Sequence, residues 1–194
     1  RVIVGDACGH GISAALLIAA TAAHLRSLSR TSASIGEAVG QCNQALMEGD
    51  ATGKFVTLIV AEISPDHRTL DYVSAGHPAG FVFDRDGHVK ARLDSTQTAL
   101  RIVEDAKFPP GQRVALDEGD ILLLTTDGVL EADSRDEGHD AFGEERLLEV
   151  VQRTCRGSAE ELVRAVCEAV HAHLGGRRQH DDVTVVAVRV RAVG

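Results

Sequence analysis

The middle of the chain constrains the fold most tightly. Phe55–Ile63 and Thr69–Ser74 are rich in β-branched residues and flank the short turn Pro65-Asp66-His67. Phe81–Phe83 and His88–Ala91 flank Asp84-Arg85-Asp86-Gly87, and Arg113–Leu116 and Asp120–Thr126 flank Asp117-Glu118-Gly119. A parallel neighbour needs a crossover of a dozen or more residues, so strands joined this tightly pair antiparallel. Residues 92–110 are mixed in character, with Pro109-Pro110 near their end, and read as a long loop holding one short strand.

Helical patterns lie on both sides of this region. Residues 12–29 are apolar on nearly every side, which implies a helix buried on more than one face. Residues 34–48 carry Ile35, Ala38, Val39, Cys42, Leu46 and Met47 as one stripe, with Ser34 and Glu37 spaced as a capping box. Asp50-Ala51-Thr52-Gly53 then breaks the chain, and residues 131–141 read as a polar surface loop. Helices follow at 143–155, on the stripe Leu147, Leu148, Val150 and Val151, and at 158–174. Ser158 and Glu161 form a second capping-box pattern, and Gly175-Gly176 ends that helix. Residues 1–5 and Val183–Val190 are apolar strands, both read as central, the last one covered on both faces. The order is strand, two helices, antiparallel strands, two helices, strand. It implies an α+β chain: an αββα sandwich of two antiparallel β-sheets flanked by helix pairs, one domain over 1–194. A central strand at the very start implies that the domain is N-terminally truncated.

Composition narrows the function. The chain has 194 residues, 44% hydrophobic and 25% charged, enough for a sizeable core. Aromatics make up 3% and Trp is absent, so Val, Leu, Ile and Ala must build that core. A formal net charge of -9 argues against nucleic acid, whose binding rests on Lys and Arg neutralising phosphates. It leaves room for a phosphorylated protein, because a metal ion can supply local positive charge. None of Cys8, Cys42, Cys155 and Cys167 forms a C-x-x-C pair. The last three fall on apolar helix faces and read as reduced core thiols, which fits a cytoplasmic protein. No apolar run is long enough to span a bilayer.

Three acids share a context. Asp6 ends the first strand, before Ala7-Cys8-Gly9-His10-Gly11; Asp127 follows Leu124-Thr125-Thr126 and precedes Gly128; Asp181-Asp182 opens the last strand. Glycines at 5, 9 and 11 allow a sharp turn and close approach to a ligand. Converging carboxylates repel one another unless a cation lies between them. Oxygen donors without a Cys/His cluster point to a hard ion, Mg2+ or Mn2+. Two such ions could activate a water and clamp a phosphoryl group.

Four segments then make a pattern: Gly5-Asp6-Ala7-Cys8-Gly9-His10-Gly11 with Ala14-Ala15-Leu16-Leu17; Ala75-Gly76-His77-Pro78; Thr126-Asp127-Gly128-Val129-Leu130-Glu131-Ala132; and Asp181-Asp182-Val183-Thr184. In this order and spacing they resemble the metal-dependent protein phosphatase (PPM, protein phosphatase 2C) superfamily. The closest likeness is to its bacterial branch of sporulation stage II phosphatases and stress-response sigma-factor regulators. The resemblance implies the PPM αββα fold and two Mn2+ or Mg2+ ions. It implies hydrolysis of phosphoserine or phosphothreonine on a regulatory protein, in this branch an anti-sigma-factor antagonist. By position, Asp6 would bridge both metals, the Ala7 backbone carbonyl would be a further ligand, and Asp127 and Asp181 would each bind a metal. Gly128 and Asp182 would back these ligands, and His10 would serve as general acid. An upstream sensory domain is implied in the same way; the sequence leaves the oligomeric state open, with a homodimer among the candidate partners. The family's usual Val-Ser is replaced by Ala7-Cys8, and its upstream Gly-Gly-Asp segment and first strands are absent.

Each side chain has a plainer role to weigh. His10 could simply fill its turn, His77 support the turn before Pro78, and His180 pack at the strand start. Cys8 reads as a replacement for Ser, open to oxidation; a nucleophilic Cys would need a C-x5-R loop, and residue 14 is Ala. Glu131 could back the ligands or be solvated. Two further readings of the whole are a degenerate phosphatase domain that only binds a partner, and a dinucleotide-binding short-chain dehydrogenase built on the glycines at 5, 9 and 11. The second requires alternating βαβ units, and Tyr72, the only tyrosine, has Gly rather than Lys four residues on.

Overall fold

The computed structural model describes residues 1–48, 53–132 and 140–191. The elements are β1 (Val2–Ala7), α1 (Ile12–Leu28), α2 (Ile35–Met47), β2 (Val56–Ile63), β3 (Thr69–Ala75), β4 (Gly80–Phe83), β5 (Val89–Leu93), β6 (Val114–Ala115), β7 (Ile121–Thr125), α3 (Asp127–Leu130), α4 (Gly143–Thr154), α5 (Ala159–Leu174) and β8 (Val185–Arg189). They form two compact units, Arg1–His77 with Leu93–Ala115, and Pro78–Arg92 with Leu116–Gly194. The expected break at 50–52 and most of the expected loop at 131–141 lie outside the described residues. No helix among the described residues is long and apolar enough to cross a membrane.

The first unit holds an antiparallel sheet in the order β1-β2-β3-β6. Val56, Leu58 and Val60 alternate along β2 and meet Leu25, Val39 and Leu46 of the two helices in one apolar cluster. Cys42 is fully buried there, and desolvation pushes its thiol up to about 12. The Ser34 cap of α2 forms, with its hydroxyl accepting from Glu37 N at 3.2 Å. The reciprocal half of the box shifts by one residue, because Glu37 accepts from Ala33 N instead.

The second unit holds the sheet β5-β4-β7-β8. All five residues of β7 are buried. Phe81, Phe83 and Leu123 on the sheet join Leu147, Val151, Leu162 and Val166 of α4 and α5 in a second cluster. Here the Ser158–Glu161 capping box is complete, and Gly175 ends α5 in the left-handed conformation at φ 57°. Two antiparallel sheets, each with its own helix pair, make the chain α+β, as the element order implies. The dehydrogenase reading fails here, because β1 pairs antiparallel with β2 and no parallel βαβ unit forms among the described residues.

Several expectations need correction. β1 and β8 stand at the ends of their sheets rather than at the centre. β8 is not covered on both faces either, since all five of its residues are only half-buried, and β1 leaves Ile3 and Gly5 exposed; an apolar run reports neither edge pairing nor full coverage. α1 is fully buried only at Ala14, Thr21 and Leu25, while Ile12 is 81% and Leu16 65% exposed. Its alanines raise mean apolarity without marking a buried face, since each exposes little surface. Cys167 is exposed, one step of about 100° round the helix from buried Val166. Asp127–Leu130 forms a short helix where only a strand end was expected.

Residues 94–113 contain no regular strand, yet they are tied down. Leu100 and Val56 exchange backbone hydrogen bonds at 2.8 and 3.3 Å. The fully buried Asn43 donates to the carbonyls of Val103 and Glu104, both at 2.9 Å, and accepts from Arg101 N at 2.8 Å. That last bond holds Arg101 at φ 67°. Replacing Asn43 with Ala strips all three bonds, and urea unfolding should show a loss of about 1–3 kcal/mol.

Candidate functional site

Asp6 and Ala7 close β1. Beyond them the chain turns through Gly9 and Gly11, at φ 86° and 87°, and enters α1 at Ile12. The pairing phase is set by Cys8 N, which donates to Phe55 O at 3.0 Å. Hydrogen-bonded pairs alternate along an antiparallel ladder, so Asp6 and Thr57 form the next such pair and Ala7 opposite Val56 does not. Val56 spends its N–H and C=O on Leu100 instead. The Ala7 carbonyl therefore points away from β2, off the sheet edge. Lys54 Nζ reaches the Cys8 carbonyl at 3.3 Å, which sets a cation at the turn. Cys8 and His10 are exposed.

The Ala75-Gly76-His77 segment joins this corner of the first unit. Gly76 sits at φ 64°, and a Cβ there would lie 2.8 Å from Ala99 N, so only glycine makes this bend. The bend carries His77 inward. It is 4% exposed, and its Nδ1 shares a 3.0 Å hydrogen bond with Thr57 Oγ1. His77 thus does more than support the turn before Pro78: it binds the residue directly opposite Asp6.

In the second unit, Asp127 and Asp181 lie on segments leaving adjacent strands, since β7 pairs β8 with Thr125 opposite Val185. Thr126 locks the two segments together. Its N–H donates to Thr184 O at 3.1 Å, its hydroxyl donates to Asp182 O at 3.0 Å, and the same oxygen accepts from Thr184 N at 3.0 Å. Gly128 lets the backbones meet, because a Cβ there would lie 2.3 Å from Asp182 O. Each carboxylate also accepts from the next amide, Asp127 from Gly128 N and Asp181 from Asp182 N, both at 2.9 Å. Asp127 and Asp181 are half-buried, while His180, Asp182 and Glu131 are exposed.

Each unit by itself offers oxygen donors of the type a hard cation takes: the Asp6 carboxylate and the edge-facing Ala7 carbonyl in the first, the Asp127 and Asp181 carboxylates in the second. Among the described residues, no three His, Cys, Asp or Glu side chains are gathered into a group that could hold a metal. The fit therefore rests on donor type and backbone placement, not on a preassembled cage. Reasoning from sequence missed Thr57, Lys54 and Thr126. Lys54 and Thr57 follow from strand register, which no local pattern reveals. Thr126 had a signal in its place directly before Asp127.

Substituting Gly128 by Ala drives a methyl into the Asp182 carbonyl. Thermal or urea unfolding should show a loss of about 1–3 kcal/mol, the usual cost of overpacking a tight contact.

Comparison with known proteins follows the same lines. The family described as stage II sporulation protein E (SpoIIE) matches residues 1–191. Phosphoserine phosphatase RsbP of Bacillus subtilis is 28% identical over a stretch covering 67% of this chain and 33% of RsbP. The chain spans about a third of the length of the curated relatives it matches. Among solved structures, the SiaA-PP2C domain of Pseudomonas aeruginosa superposes with a TM-score of 0.82 at 22% identity, covering 97% of this chain and 74% of that one. The catalytic domain of the serine/threonine protein phosphatase PstP, solved with 2 manganese ions, gives a TM-score of 0.65 at 20% identity, covering 97% and 86%. With its sequence matched from residue 1 to 191 and its fold shared with the SiaA-PP2C domain, the chain belongs to the family described as stage II sporulation protein E (SpoIIE).

Proposed function

We propose that residues 1–194 act as a single metal-dependent protein phosphatase domain that hydrolyses phosphoserine or phosphothreonine on a regulatory protein. The observation that carries this reading is the match to the SpoIIE family over 1–191 in a chain whose Asp6 lies near the end of β1 and whose Asp127 and Asp181 lie just outside β7 and β8. Asp6, the Ala7 carbonyl, Asp127 and Asp181 would hold two Mn2+ or Mg2+ ions. When bound, such ions supply Lewis-acid polarisation of the phosphoryl group and a water acidic enough to attack it near neutral pH.

The chain's own residues do the rest. The Thr126 lock and the Gly128–Asp182 contact hold the Asp127 and Asp181 segments in one fixed relation, which metal coordination demands. His10, exposed on the Asp6 turn, hands a proton to the leaving serine or threonine oxygen. Cys8 takes no part in bond making. The substrate in this reading is a phosphorylated anti-sigma-factor antagonist, and the domain works in the cytoplasm as a homodimer under an upstream sensory domain. The name of RsbP, phosphoserine phosphatase, supports the substrate class.

A partner-binding module without activity is the second reading. It is favoured by the lack of a gathered metal-ligand group among the described residues. Hydrolysis of an aryl phosphate and of a phosphoserine peptide, with and without Mn2+, separates the two. The phosphatase reading expects Mn2+-dependent turnover that falls at least about 100-fold in Asp6→Asn and in Asp127→Asn, because each removes a ligand worth several kcal/mol of transition-state stabilisation. Cys8→Ser should keep most of the rate. A dead Cys8→Ser beside active Asp variants would establish a thiol mechanism, and absence of turnover in the wild type would favour the binding module.

A further inference from the structure

The corner of the first unit beneath the Asp6 turn contains polar groups that the proposed reaction leaves without a task. Thr57 lies directly opposite Asp6 in a hydrogen-bonded pair of the β1–β2 ladder, so both side chains leave the same face of the sheet. Directly opposed residues have Cβ atoms about 5 Å apart, a span that a hydroxyl on one side and a carboxylate on the other can close with one hydrogen bond. His77 arrives at the same face from the Gly76 bend, is 4% exposed, and shares the 3.0 Å bond with the Thr57 hydroxyl. A buried imidazole is costly to keep unless it is hydrogen-bonded, and Nδ1 meets that need on Thr57. Its position is fixed independently of β1, since the Gly76 amide donates to Gln97 O at 2.7 Å and to Ser95 Oγ at 2.8 Å.

The geometry points to a relay that positions a metal ligand: His77 Nδ1–H donates to Thr57 Oγ1, and the Thr57 hydroxyl proton is thereby directed to the Asp6 carboxylate. A hydroxyl has one proton to give. If the imidazole fills an oxygen lone pair, that proton is left for the neighbouring acid. The carboxylate that accepts it is thereby held in one orientation. Ligating carboxylates are commonly oriented by such hydrogen bonds, and losing the orienting partner costs about 10- to 100-fold in metal affinity. Thr57 and His77 are thus positioning residues. They act through Asp6 and rest on the metal-site reading above. The relay also gives a physical reason for Ala75-Gly76-His77 to accompany the Asp6 turn: the bend exists to bring the imidazole under Thr57.

The test is calorimetric titration of the whole chain with Mn2+, paired with melting in chelator, which reports the fold without metal. Thr57→Val keeps the β-branched shape and deletes only the hydroxyl. It should weaken Mn2+ binding about 10- to 100-fold while leaving the chelator melting temperature close to wild type. Thr57→Ser restores the hydroxyl and should restore affinity. His77→Asn offers an amide N–H near the place of Nδ1 and should retain more affinity than His77→Leu. Wild-type Mn2+ binding with unchanged affinity in Thr57→Val overturns the relay alone. A wild type that binds no Mn2+ removes the metal site and the relay with it. Loss of affinity in strict proportion to lost melting temperature across all four variants assigns Thr57 and His77 to packing, and overturns the relay as well.

Discussion

The phase of the β1–β2 ladder is the constraint on which the rest of the Asp6 corner depends. A single backbone bond, Cys8 N to Phe55 O, decides which residues of β1 face β2 and which face the open edge. Through it Asp6 is set opposite Thr57 and the Ala7 carbonyl is turned outward. A slip of one residue would reverse every one of these assignments, since side chains and backbone groups alternate with period two. The phase is protected from the other side by Leu100, which takes both backbone groups of Val56. Leu100 is held in turn by the loop that Asn43 clamps to α2. A buried asparagine on α2 therefore helps fix the direction of the Ala7 carbonyl.

The second unit solves the same problem differently. Its two acids lie on segments leaving adjacent antiparallel strands, where backbone pairing has already ended. Thr126 continues the ladder by other means, using its own N–H and a side chain that both donates and accepts. Gly128 lets the two main chains close to a distance that no side chain would permit. In each unit a threonine hydroxyl stands close to an acid-bearing segment: Thr57, opposite Asp6, bonds His77, and Thr126 ties the Asp127 and Asp181 segments together.

Much of this was legible before any coordinates. Short turns forced the antiparallel pairing, Ser158 and Glu161 announced the start of α5, and the glycines after Asp6 and Asp127 marked where acids meet turns. What was illegible was non-local. Nothing near Thr57 says that it will face Asp6, because register is settled by pairing across some 50 residues of chain. His77 read as a turn residue since its partner lies 20 positions away. The central placement of β1 and β8 was misjudged for a related reason: edge position is a property of topology, and an edge strand can be apolar while its residues stay only half-buried. α1 misled through its alanines, whose small surfaces let a helix be apolar and exposed together.

The proposal that matters most is that Asp6, the Ala7 carbonyl, Asp127 and Asp181 are ligands of hard metal ions. The most direct measurement is diffraction at the manganese absorption edge from crystals of the whole chain grown with saturating Mn2+. The account predicts two anomalous peaks bonded to the carboxylates of Asp6, Asp127 and Asp181, one of them also contacting the Ala7 carbonyl. Manganese bound only at other residues, or no anomalous peak at these three acids, would contradict it.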